Sequence, residues 1–203
     1  MRELYKSYQG FDGFIKTQLM VMFVISLSWS LILPILTKLQ GLLWATSIIS
    51  AYLVLHRLSA FLLPYFKNTS LKQAYKNMII LDVLYLLSVP LYFIDPLLFL
   101  YTEAALMVIY GVMLSVFRIS YDAFLMTRYD TSKFKDIQYS ERIVMSVAGI
   151  IGNLLVIMLD VISPNMGVAV YTFMVILSVN VVFQLFNYRF YWNDFDLNET
   201  QIN

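Results

Sequence analysis

The chain has 203 residues, 60% of them hydrophobic and 13% charged, with a mean hydropathy of +0.72. Soluble domains are nearer a quarter charged, so this composition excludes a water-soluble globule and demands a lipid bilayer as the surrounding medium. The net charge of +1 gives no basis for a nucleic-acid partner, and the absence of cysteine removes disulfides, thiol chemistry and sulfur-ligated metals.

Residues 1–16 precede the first apolar run. Leu4, Tyr8, Phe11 and Ile15 recur there at helical spacing among Arg2, Lys6 and Lys16, a pattern for a helix on the membrane surface, which Gly10 and Gly13 oppose. The run from 17 to 37 is longer than the core of a signal peptide and has no A-x-A-like cleavage site, so it predicts a retained span. A hydrocarbon core about 30 Å thick takes roughly 20 apolar residues per helix. Further runs near 42–66, 77–94, 97–126, 143–162 and 167–188 complete six spans, which together form a transmembrane domain over 17–188. Lys38 to Gly41, Asp95-Pro96 and Ser163 to Met166 read as tight turns, and 67–76 and 127–142 as longer polar loops. Residues 189–203, with Asp194, Asp196 and Glu199, read as a short, disordered acidic tail.

Basic residues are retained on the cytoplasmic side, and nearly all of them fall on the side that carries both termini and the longer loops. Lys38 is the exception, and Arg57 and Arg118 lie within spans. The expectation is a multi-pass protein of the cytoplasmic membrane with both termini inside the cell. Three crossings followed by three more run in opposite senses, so the fold expected is an all-α integral membrane protein with six transmembrane helices in a 3+3 inverted-repeat bundle.

Each span carries a stripe of polar or small residues: Ser26, Ser30 and Thr37; Ser47, Ser50 and Arg57; Asp82, Tyr85 and Tyr92. Gly111, Ser115, Arg118 and Asp122 follow in the fourth span, then Ser146, Gly149, Asn153 and Asp160, and finally Asn180, Gln184 and Asn187. Acyl chains offer no hydrogen bonds, so the stripes are expected to turn inward, either as interhelical glue or as a polar path. Ser30, Ser50, Ser115 and Asn153 are the candidates for lining such a path. Arg118 and Asp122, four residues apart, should mark the cytoplasmic exit of the fourth span. Arg57 and Asp82 lie at similar depth and are expected near each other, with Arg118 and Asp122 completing a cytoplasmic ion-pair cluster or gate; a clasp and a substrate or proton role both fit. His56 has no second histidine for a metal site. Glu103 and Asp160 sit toward the outer ends of their spans without an evident partner in the sequence. No catalytic triad, phosphate-binding glycine loop or H-E-x-x-H is present, so no enzymatic activity, cofactor or metal is expected.

With this layout the chain resembles the N-terminal six-helix half of major facilitator superfamily transporters. "SLSWSLILPILTKLQGLLWATSIISAYLVLHRLSAFLLPYF" looks like that family's first hairpin, and "YSERIVMSVAGIIGNLLVI" like the entry into its fifth span. The family's G-x-L-a-D-R-x-G-R-R loop corresponds here to "SAFLLPYFKNTSLKQAYKN", which lacks the Gly and the Asp. In the antiporter signature of span five, Asn153 replaces the Pro, and Val156 and Ile157 replace the paired glycines. Met107 stands where an Arg usually precedes the Gly of span four. These departures argue against drug–proton antiport. Family members pair two such halves around a central site, so the resemblance implies a half-size transporter of a small solute, working with a second copy or a separate six-helix half. The alternative is a non-transporting membrane interaction protein, an immunity or accessory factor that keeps the fold.

Overall fold

The structure, a computed structural model, describes residues 10–62, 70–162 and 166–191, apart from the side chains of residue 42 and of 55–62. The expected surface helix lies in part, and the acidic tail almost wholly, outside these residues, as do the side chains of His56 and Arg57.

All regular structure in the described residues is helical. The elements are α1 (Gly13–Gln40), α2 (Leu42–Leu62), α3 (Leu71–Ser88), α4 (Leu91–Ile94), α5 (Pro96–Arg128), α6 (Thr131–Ile162) and α7 (Met166–Phe190). Taking α3 and α4 together, five of these are long and apolar enough to cross a membrane. The sixth, α2, has 21 residues, or about 31 Å at 1.5 Å each, and a shorter apolar stretch at Leu43–Val54. The protein is therefore a multi-pass membrane bundle by composition and length.

Short polar signals set the helix ends. Asp12 caps α1 by accepting from Ile15 N at 3.0 Å, and Ser70 caps α3 by accepting from Gln73 N at 3.2 Å. Asp95 accepts from Leu97 N and Leu98 N, with Pro96 at the first helical position of α5. Gly41 turns α1 into α2 with φ of 89°, a conformation that a side chain would strain, and its N–H closes on Thr37 O at 2.8 Å.

Two segments read as polar loops are helical instead. Asp130 caps α6 by accepting from Lys133 N at 2.8 Å, and nothing between Thr131 and Ala148 breaks a helix, so the stretch to 142 continues α6. Residues 71–76 likewise form the first turns of α3. An apolar run marks the part of a helix that lipid surrounds, and capping extends the helix beyond it.

The two ends of the described chain meet: the rings of Phe14 in α1 and Tyr191 after α7 lie 5.8 Å apart. An even number of crossings follows. Tyr75, near the start of α3, bonds to Gln18 of α1 and Asn187 of α7, so α3 begins at that same end. Trp44, at the start of α2, packs on Tyr101 of α5 at the opposite end, which makes α2 a full traverse.

The main partners of α1 are α6 and α7, and those of α5 are α2 and α3; α3 also packs on α7. The α1–α6 pair is parallel and in register. A Cβ on Gly152 would come within 2.6 Å of Ser30 Oγ, and two turns further Lys38 pairs with Asp160; both contacts have a sequence offset of 122. Gly152 is thus the point of closest approach, where any side chain would force the helices apart. The outer side of α6 is apolar and bare, with Ile150, Leu154, Ile157 and Val161 all exposed.

Candidate functional site

A cavity of about 590 Å³ lies on the flank where α2 and α6 stand apart, and all six long helices contribute to its wall. That is the size of a drug-sized ligand site. Most of its surface is apolar, with an aromatic band across it. The Trp29 ring of α1 lies 5.0 Å from that of Tyr52 of α2, tilted by 30°, and meets Tyr110 of α5 at 5.4 Å, and Tyr110 in turn meets Tyr85 of α3 at 5.7 Å. This band of rings joins four helices. Tyr75 and Phe117, 5.7 Å apart, continue the wall toward the end where Phe14 meets Tyr191.

Four polar side chains other than the tyrosines face the cavity: Gln18 and Ser26 of α1, Arg118 of α5 and Gln184 of α7. Each belongs to a larger arrangement except Ser26. Gln184 donates to Asp82 Oδ2, which also accepts from Asn180 Nδ2 at 2.9 Å. Asp82, Asn180 and Gln184 are all buried, and no cation contacts the carboxyl group among the described residues. Gln18 Oε1 accepts from Tyr75 OH and from Asn187 Nδ2, both at 3.2 Å, and Asn187 donates to Tyr75 OH as well, at 3.1 Å. Amides leave the helix axis to do this, so they tie α1, α3 and α7 together across the core.

Arg118 holds the third arrangement. Its Nη1 donates to Glu141 Oε2 of α6 at 2.8 Å and its Nε lies 3.3 Å from Asp122 Oδ1, one turn further along α5. Glu141 is 1% exposed, so the guanidinium compensates a carboxyl that would otherwise be buried alone. Further toward the helix ends, Arg128 and the Tyr129 hydroxyl meet Asp12 and draw the start of α1 to the end of α5.

The residues singled out from the sequence distribute unevenly. Arg118 and Asp122 form the pair their spacing suggests and gain Glu141 as a third member. Asp82 lies in the core against α7, while the side chain of Arg57 is outside the description. None of Ser30, Ser50, Ser115 and Asn153 is among the residues lining the cavity. Ser30 and Ser115 donate to carbonyls one turn back, those of Ser26 and Gly111. Ser50 and Asn153 are exposed on the outer faces of α2 and α6.

Sequence reasoning overlooked Gln18 and Glu141, and found no partner for Glu103 or Asp160. Glu103 is buried against Ser88, and Asp160 pairs with Lys38. Glu141 was legible in principle: Ile137, Glu141, Ala148 and Gly152 are the buried positions of one helical face, once α6 is extended back past 143.

No protein-family model, curated protein or solved structure matches the chain.

Proposed function

We propose that the chain is a half-size membrane transporter of the major facilitator type, moving a small solute through the cavity between α2 and α6. The observation that carries this reading is the cavity itself: a ligand-sized, aromatic space walled by all six long helices and left open along one flank. A packing bundle with no solute to hold would close that space with side chains.

The pattern of helix pairing supports the 3+3 inverted repeat. Exchanging the first three spans for the last three turns the α1–α6 contact into α5–α2 and the α1–α7 contact into α5–α3, and leaves α3–α7 unchanged; all five are major contacts of the bundle. Such a unit moves solute by rocking against a second six-helix unit, either another copy or a separate partner, which would cover the open flank. The Arg118, Asp122 and Glu141 cluster, near the end of the bundle where the termini meet, then serves as a gate at the cytoplasmic membrane surface. Arg57 and Asp82 complete the gate if the α2 side chain reaches the core.

The bare apolar face of α6 favours a second reading, a membrane interaction protein that docks through α6 and carries nothing. Flux separates the two. Purified protein in sealed vesicles is expected to move at least one member of a broad solute panel, and to lose that flux when Tyr110→Ala opens the aromatic band. Uptake no faster than in empty vesicles across the whole panel leaves the docking reading.

A further inference from the structure

The cavity's chemistry selects among solutes, and the inference drawn from it rests on the cavity being the solute site. The buried side-chain atoms left without a hydrogen-bond partner among the described residues are mostly carboxyl and amide oxygens, which accept, together with the hydroxyls of Tyr85 and Tyr121, which can donate. Three of these oxygens belong to groups at or directly behind the cavity wall: Gln184 Oε1, Asp82 Oδ1 and Glu141 Oε1. Gln184 lines the cavity although it is only 4% exposed; its Nε2 is given to Asp82 and its Oε1 is left unpaired. Unpaired acceptors therefore outnumber unpaired donors among the described residues.

Charge points the same way. Arg118 is the one cation facing the cavity among the described residues, and its guanidinium is already shared between Asp122 and Glu141. Among the described side chains, two carboxyl groups against one guanidinium leave no free positive charge for an anionic solute. Trp29, Tyr52, Tyr75, Tyr110 and Phe117 supply the aromatic part of the wall, and ring faces attract cations once water is excluded.

We infer that the cavity binds hydrophobic organic cations, with the apolar body against the aromatic band and the positive centre toward Gln184 and the carboxyl groups that flank Arg118.

Tetraphenylphosphonium and tetraphenylborate have one shape and opposite charge, so they isolate the sign. With the full chain in nanodiscs and empty nanodiscs as blank, the phosphonium is expected to bind saturably and the borate no better than the blank. Tyr52→Leu, at a partly exposed position of the wall, should weaken phosphonium binding on the order of tenfold. Glu141→Gln should weaken it as well, and Arg118→Gln, which removes the positive charge facing the cavity, should tighten it. Because the two changes act in opposite directions, a fold damaged by either cannot mimic the pattern. Saturable borate binding that disappears in Arg118→Gln would overturn the inference and leave the solute cavity standing. Binding of neither ion overturns it too, and the transport reading then rests on the flux of other solutes.

Discussion

Serine and amide side chains behave differently in this bundle, and the reason is reach. The hydroxyls of Ser28, Ser30, Ser115, Ser146 and Ser178 each donate to the carbonyl four residues back in their own helix. A serine so satisfied can face lipid at little cost, so its spacing along a helix does not reveal which way the helix faces. Asn180, Gln184 and Asn187 cannot satisfy themselves this way; they bond across helices and are all buried. Removing Asp82 strands the donors of Asn180 and Gln184, so Asp82→Ala is expected to destabilise the bundle by about 1–3 kcal/mol. Thermal unfolding in mild detergent checks this. Adding Gln184→Leu to Asp82→Ala should cost less than the sum of the two single changes, and strict additivity would count against the bond.

At the scale of helices, two glycines on α6 make opposite predictions. A Cβ on Gly152 would collide with Ser30, whereas one on Gly149 would meet nothing within 4 Å. Gly152→Ala is therefore expected to lower stability by about 1–3 kcal/mol through forced separation of α1 and α6. Gly149→Ala should be neutral or stabilising by up to about 1 kcal/mol, since it removes only backbone freedom. The same unfolding assay on both variants decides, and equal effects would refute the close approach. Hydropathy located every long helix, because acyl chains impose a length that a sequence must meet. It placed the ends of α3 and α6 too far inward, since capping by Ser70 and Asp130 is a local event that hydropathy does not register. The partners of Asp82 escaped notice for another reason: they are 98 and 102 residues away, and a spacing rule identifies a face without naming its neighbour.

For the molecule as a whole, the contact of Phe14 with Tyr191 requires that both ends of the described chain emerge together. The sequence contains no cysteine, so single introduced cysteines report cleanly. Asp12→Cys and Tyr191→Cys should label from one side of sealed vesicles and Lys38→Cys from the other; labelling of all three from one side would break the bundle's parity. The constant offset of 122 between α1 and α6 also has a consequence for how the protein is made. Of the described helices, the one made first settles chiefly against the two made last, so most of its mature neighbours do not yet exist while the intervening chain is threaded. Gln18 must wait for Asn187, and Ser30 for Gly152, which makes synthesis of the final two helices the moment at which the nascent bundle locks.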